Sequence, residues 1–184
     1  MAASDDSSLV SVSVNEFLAK VASTAEAVPA GGSVAALTGA ASAALLVLVC
    51  GVLRRRHVEG VSGLEERAAE LQQRLLRLVD EDAQAFRAFL DMQRSAGDMR
   101  GVAARTSRTP LLIGAACAEV VDLSRLIEET PHLGAILGDV RAAHHLAQGA
   151  LASALDIAEQ DIGLHADASA QQTLREDIAE LRRR

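Results

Sequence analysis

Residues 27–56 read AVPAGGSVAALTGAASAALLVLVCGVLRRR. A proline, two glycines and a serine lead into an uncharged run, Val34 to Leu53, and Arg54-Arg55-Arg56 stop it. The run is long enough to cross a bilayer, and the arginines would suit a cytoplasmic anchor. Alanine fills much of it, however, and Thr38, Gly39, Ser42 and Gly51 add polarity or bare backbone. Ala35, Gly39 and Ala43 share one face, and Ala36, Ala40 and Ala44 another; small residues so spaced let helices approach closely. A helix that is apolar all round is a buried helix. In so small a chain its burial is easier when a second subunit covers one side. The expected fold is therefore all-α, a single-domain helical bundle around this alanine-rich helix, packed as a homodimer. A single membrane span is the alternative.

Composition points the same way. The chain has 184 residues, is 49% hydrophobic and only 2% aromatic, with no Trp or Tyr. One domain of this length holds a real core, and alanine and leucine are strong helix formers. The net charge is −7 and Lys20 is the sole lysine. No basic face or aromatic stacking platform for nucleic acid is evident. Cys50 and Cys117 lie in apolar helical stretches and read as buried reduced thiols. No basic segment precedes an apolar one at the start, as a secretory signal would require, so the expected compartment is the cytoplasm.

Working outward, residues 1–10 read as a flexible tail and residues 11–184 as the domain. Val14, Phe17, Leu18 and Val21 recur at helical spacing after Ser13. The apolar helix is expected from about Ser33 to Arg55, and a long helix from about Ser62 to Ser95, broken at Gly97. A short helix precedes Thr109-Pro110, and Pro110 fits the first turn of the next, which runs to about Glu129. Thr130-Pro131 and Gly134 make a loop. A helix from Asp139 to about Ile162 follows, and Asp167–Arg184 forms a last amphipathic helix.

Candidate site residues stand out against this pattern. Gly31, Gly32 and Ser33 open the apolar helix. Ser33 can cap it, or the free amides there can hold an anionic or carbonyl-bearing ligand. Leu71, Leu75, Leu78, Phe86 and Phe89 form a stripe, and Asp82 falls inside it. A carboxylate on an apolar stripe is costly unless paired or put to use; it is either a buried ion pair or a pocket acid able to move protons. Asp139 reads as an N-cap or a second such acid, and His144 as a core histidine. His144, His145 and Asp139 do not make a recognisable metal set.

These segments, in this order, resemble the cyclodeaminase/cyclohydrolase family of one-carbon folate metabolism. The family's PAPGGGS-A turn corresponds to VPAGGSVAALTGAASAA, its D-A-x-A-F segment to Asp82-Ala83-Gln84-Ala85-Phe86, and its proline-initiated helix with a central cysteine to TPLLIGAACAEVVDLSRLI. Asp139 matches the aspartate of its G-N-x-x-x-x-S-D loop. The resemblance spans roughly Val14 to Ile162. It implies an all-helical dimer with a folate pocket near the subunit interface, no metal, and no cofactor beyond a tetrahydrofolate derivative as substrate. It further implies Asp82 as proton shuttle, Asp139 as a second catalytic candidate, and Gly31, Gly32 and Ser33 as substrate-binding. Departures also occur: His132-Leu133 stands where the family has GN, Gly138 replaces the serine before Asp139, and Asp156-Ile157-Ala158-Glu159-Gln160 replaces N-V-x-I-N. The implied activity is methenyltetrahydrofolate cyclohydrolase or formiminotetrahydrofolate cyclodeaminase; a diverged ligand-binding or interaction module is the alternative.

Overall fold

A computed structural model describes residues 8–25, 27–95, 100–164 and 167–184. These form α1 (Val14–Ala22), α2 (Gly31–Arg55), α3 (Val61–Arg94), α4 (Arg100–Glu128), α5 (Leu137–Asp161) and α6 (Ala168–Leu181), with no strand among the described residues. The α2 helix packs on α3, α4 and α5, and α4 packs on α3 and α5, so α2–α5 make a four-helix bundle with α6 against α4 and α5. The expected all-α bundle around an alanine-rich helix is what the chain adopts.

Small residues set the spacing at the centre. A Cβ on Gly39 would lie 2.7 Å from Cys117 Sγ and 3.2 Å from Leu75. Glycine thus lets α2 press against α3 and α4. Ser42 donates to the Ala143 carbonyl and ties α2 to α5. Leu46, Leu53, Leu75, Ile113, Leu123, Ile127 and Leu155 fill the core around these contacts. Burial pushes the Cys50 thiol up to about 11 and Cys117 up to about 12, so both stay protonated at neutral pH.

Within the single chain, burial of α2 is one-sided. The helix is long and apolar enough to span a membrane by length and composition, and about 50% of it is buried. Val34, Thr38, Ala41, Leu45, Leu48 and Val52 are left partly or fully exposed. Their spacing of four and three gives a continuous stripe along one side.

Three local expectations are corrected. Arg100–Glu128 is one helix with Pro110 inside it, not two helices meeting at Pro110. Proline removes one helical hydrogen bond. Around that gap Thr106, Ser107 and Thr109 hydroxyls donate to the carbonyls of Val102, Ala103 and Arg105. Such back-bonds bend a helix without ending it. Next, the 3-10 turn Gly134–Ile136 winds straight into α5, so the N-cap position falls to Ile136 and Asp139 lies within the first turn. Finally, part of the expected tail is seated: Asp80 accepts from Ser8 Oγ at 2.6 Å and from the Leu9 amide at 2.7 Å, and Leu9 is buried. Residues 1–7 and the break at Gly97 lie outside the described residues.

Candidate active site

The first turn of α2 needs hydrogen-bond acceptors for its free amides, and its own flank offers none. Its N-cap residue is Ala30, whose side chain makes no capping bond. Ser33 is the third residue of the helix, so it is not the cap the sequence suggested. The acceptor comes from another helix. Asp82, buried on α3, takes a 2.8 Å bond from Ser33 Oγ at its Oδ2, and the Ser33 backbone amide lies near enough to favour its charged form. Ser33 Oγ also reaches the Val79 carbonyl at 3.2 Å. Gly32 is flush against the carboxylate; a Cβ there would overlap Oδ1 and lie 2.6 Å from Cγ. The glycine is required by that close approach.

Two opposed effects act on Asp82. Burial raises its pKa above the ordinary carboxylate value, and the hydroxyl and amide of Ser33 pull it back down. The positive end of the α2 dipole acts in the same direction as those donors. Asp82 is thus a buried acid whose charged form has been given partners.

Around it lies a cleft of about 220 Å³, lined by Gly31, Gly32, Asp82, Phe86, Thr106, Pro110, Ile157, Gln160 and Asp161 among others. Sequence reasoning missed Asp161, the last residue of α5. Burial and the neighbouring charge of Asp82 push its carboxyl up to about 6. The signal that singled out Asp82 was also present here. On α5, Ala147, Ala150, Ala154 and Ala158 are buried, and Asp161 continues that series at helical spacing. Thr106 and Pro110 reach the cleft because α4 runs unbroken past it.

A second hollow of about 570 Å³ adjoins the cleft and shares Ala30, Gly31 and Ile157 with it. Val34 and Thr38, at one end of the exposed α2 stripe, line this outer hollow together with His145 and Leu146.

The structure brings Gly31, Gly32, Ser33 and Asp82 together; Asp139 it does not. Asp139 is on α5 but 22 positions before Asp161, about 33 Å away along the axis at 1.5 Å per residue. His144 is half-buried, with Nδ1 2.9 Å from Ser124 Oγ, and its surroundings lower its pKa, burial most of all. No group of three metal-capable side chains forms among the described residues.

Comparison with known proteins agrees with the fold. The formiminotransferase-cyclodeaminase family profile matches residues 13–180. The chain is 28% identical over 179 residues to a methenyltetrahydrofolate cyclohydrolase of Methylorubrum extorquens, covering 89% of this chain and 86% of that one. The crystal structure of formiminotetrahydrofolate cyclodeaminase from Thermotoga maritima superposes with a TM-score of 0.85 at 19% identity, covering 95% of this chain and 90% of that one.

Proposed function

The chain belongs to the formiminotransferase-cyclodeaminase family, and on that premise we propose that it is a cytoplasmic methenyltetrahydrofolate cyclohydrolase with Asp82 as its proton shuttle. The observation that carries the proposal is the buried Asp82 carboxylate, held by Ser33 and open to a cleft. In this reaction water attacks the electron-poor carbon that bridges two folate nitrogens. A base takes the proton of the water, and the departing ring nitrogen must gain one. A carboxylate beside that cationic carbon also favours its charge. The likeness to the Methylorubrum extorquens enzyme over most of both chains favours the methenyl substrate. Formiminotetrahydrofolate, where ammonia leaves instead, makes the same demand for a proton shuttle.

The cleft suits a ring system, and the outer hollow beyond Gly31 suits the longer tail of a folate. In this reading Gly31, Gly32 and Ser33 position the substrate and no metal takes part. Asp139, at the far end of α5, has no part in the proton transfers. A second copy of the chain covers the exposed α2 stripe and closes the outer hollow, giving a homodimer.

One observation favours a second reading, a non-catalytic member of the family. Asp82 already ties the first turn of α2 to α3 through Ser33, which alone is reason enough for a carboxylate there. Loss of the methenyltetrahydrofolate chromophore, followed against spontaneous hydrolysis, separates the two. Acceleration that disappears in Asp82→Asn supports the enzyme. A folded wild-type protein that does not accelerate the reaction leaves the capping role alone standing.

A further inference from the structure

We infer that Asp161 is a second catalytic carboxylate of the cleft, the general acid that protonates the departing nitrogen while Asp82 takes the proton of the attacking water. The inference rests on the cyclohydrolase reading above. It starts from two acids lining one small cleft with opposite surroundings. Asp82 meets the N-terminal end of α2 and accepts from Ser33. Asp161 closes the C-terminal end of α5, where the helix dipole disfavours negative charge. It makes no ion pair or side-chain hydrogen bond with any described residue. Two neighbouring carboxylates with unequal partners divide their roles: the one given hydrogen-bond donors ionises and the other keeps its proton.

The groups around Asp161 leave Asp82 as the charge it responds to. The cleft wall from α2 is Ala30, Gly31 and Gly32; α4 gives Thr106 and Pro110; α3 gives Ala85, Phe86 and Asp82; α5 itself gives Ile157 and Gln160. Among these only Asp82 titrates. Glu159 and Asp156, also on α5, are paired with Arg182 on the outer side. A carboxyl pushed up to about 6 holds a transferable proton close to neutrality.

The protons balance. Asp82 accepts one from water as the C–O bond forms, leaving a neutral hydroxyl adduct. Asp161 then gives its proton to the ring nitrogen as the C–N bond breaks, and recovers one from the adduct hydroxyl as the formyl C=O forms. Asp161 ends as it began, and Asp82 returns its proton to solvent. The net result is consumption of one water and release of one proton.

The test is the pH dependence of kcat on methenyltetrahydrofolate for wild type, Asp161→Asn, Asp161→Glu and Asp82→Asn, with ¹³C-carboxyl titration of Asp161 alongside. In wild type kcat should fall as pH rises through the Asp161 titration. Asp161→Asn should lose about 10²–10⁴-fold in kcat with KM little changed, together with that limb of the profile, and Asp161→Glu should recover part of both. In Asp82→Asn the Asp161 titration should move down, since a neighbouring charge is gone. Asp161→Asn with wild-type kcat and profile, beside an inactive Asp82→Asn, overturns the inference and leaves the function standing. If Asp161→Asn fails to fold, an Asp161 titration in the ordinary carboxylate range overturns it instead. A folded wild type that gives no acceleration overturns both.

Discussion

A side chain on residue 32 and the carboxylate of Asp82 exclude one another. A Cβ built on Gly32 overlaps Oδ1 and lies 2.6 Å from Cγ, so the start of α2 is seated directly on α3. In Gly32→Ala either Asp82 swings away from Ser33 or the two helices separate. Overpacking of this kind costs about 1–3 kcal/mol. Urea unfolding should show that loss, and folate turnover should fall toward the level of Asp82→Asn. Wild-type stability and turnover would show that the contact relaxes without consequence.

Asp161 works against the fold at neutral pH. Its carboxyl is raised to about 6 from the ordinary aspartate value of 3.8. The native state therefore binds the proton more tightly than the unfolded chain, and stability is lost as pH rises between those values. The penalty is complete above the upper value. Asp161→Asn should raise Tm at pH 7.5, with the gain shrinking toward pH 4. A gain that is the same at both pH values would mean that charge is not its source.

Leu48 is 52% exposed in the middle of the α2 stripe. If a second copy covers the stripe, Leu48→Glu buries a charge at the interface and should convert a dimer to a monomer in light scattering, with the helical circular dichroism unchanged. A wild-type protein that is already a monomer at tens of micromolar would refute the covered stripe.

Asp80 ties Ser8 and Leu9 to α3. Asp80→Ala removes both bonds, at about 1–3 kcal/mol for hydrogen bonds to a charged group. The Leu9 amide should then exchange with solvent much faster than in wild type, while amides in the middle of α3 keep their protection. Unchanged exchange at Leu9 would mean that burial of its side chain holds the segment alone.

Periodicity made the bundle and one of its two cleft acids legible. Asp82 sits in phase with Leu75, Leu78 and Phe89, which are all buried, and the phase alone predicts its burial. Asp161 is equally in phase with the apolar side of α5, but it is the final residue of its helix, where a stripe has no continuation to be measured against. The helix starts were harder. Ser33 and Asp139 look like caps by local chemistry, yet α2 is capped from 49 residues away and α5 is entered through a 3-10 turn. Pro110 reads as a beginning because its neighbours' hydroxyl bonds are invisible in sequence. The uniform apolarity of α2 concealed which of its sides faces outward.

The cross-helix anchoring of the first α2 turn also bears on the order in which the chain melts. Gly31 and Gly32 are poor helix formers, so that turn gets little of its order from its own residues. It depends on Asp82, which in turn depends on α3 being docked. This stretch should be the first part of α2 to open, fraying while Leu46 and Val49 stay enclosed. Fraying would hydrate Asp82, return it to an ordinary acid and dissolve the cleft without global unfolding. Hydrogen exchange at Val34 and Ala35 faster than at Leu46 and Val49 would reveal that partial opening; equal protection at all four would show the site to be as rigid as the core.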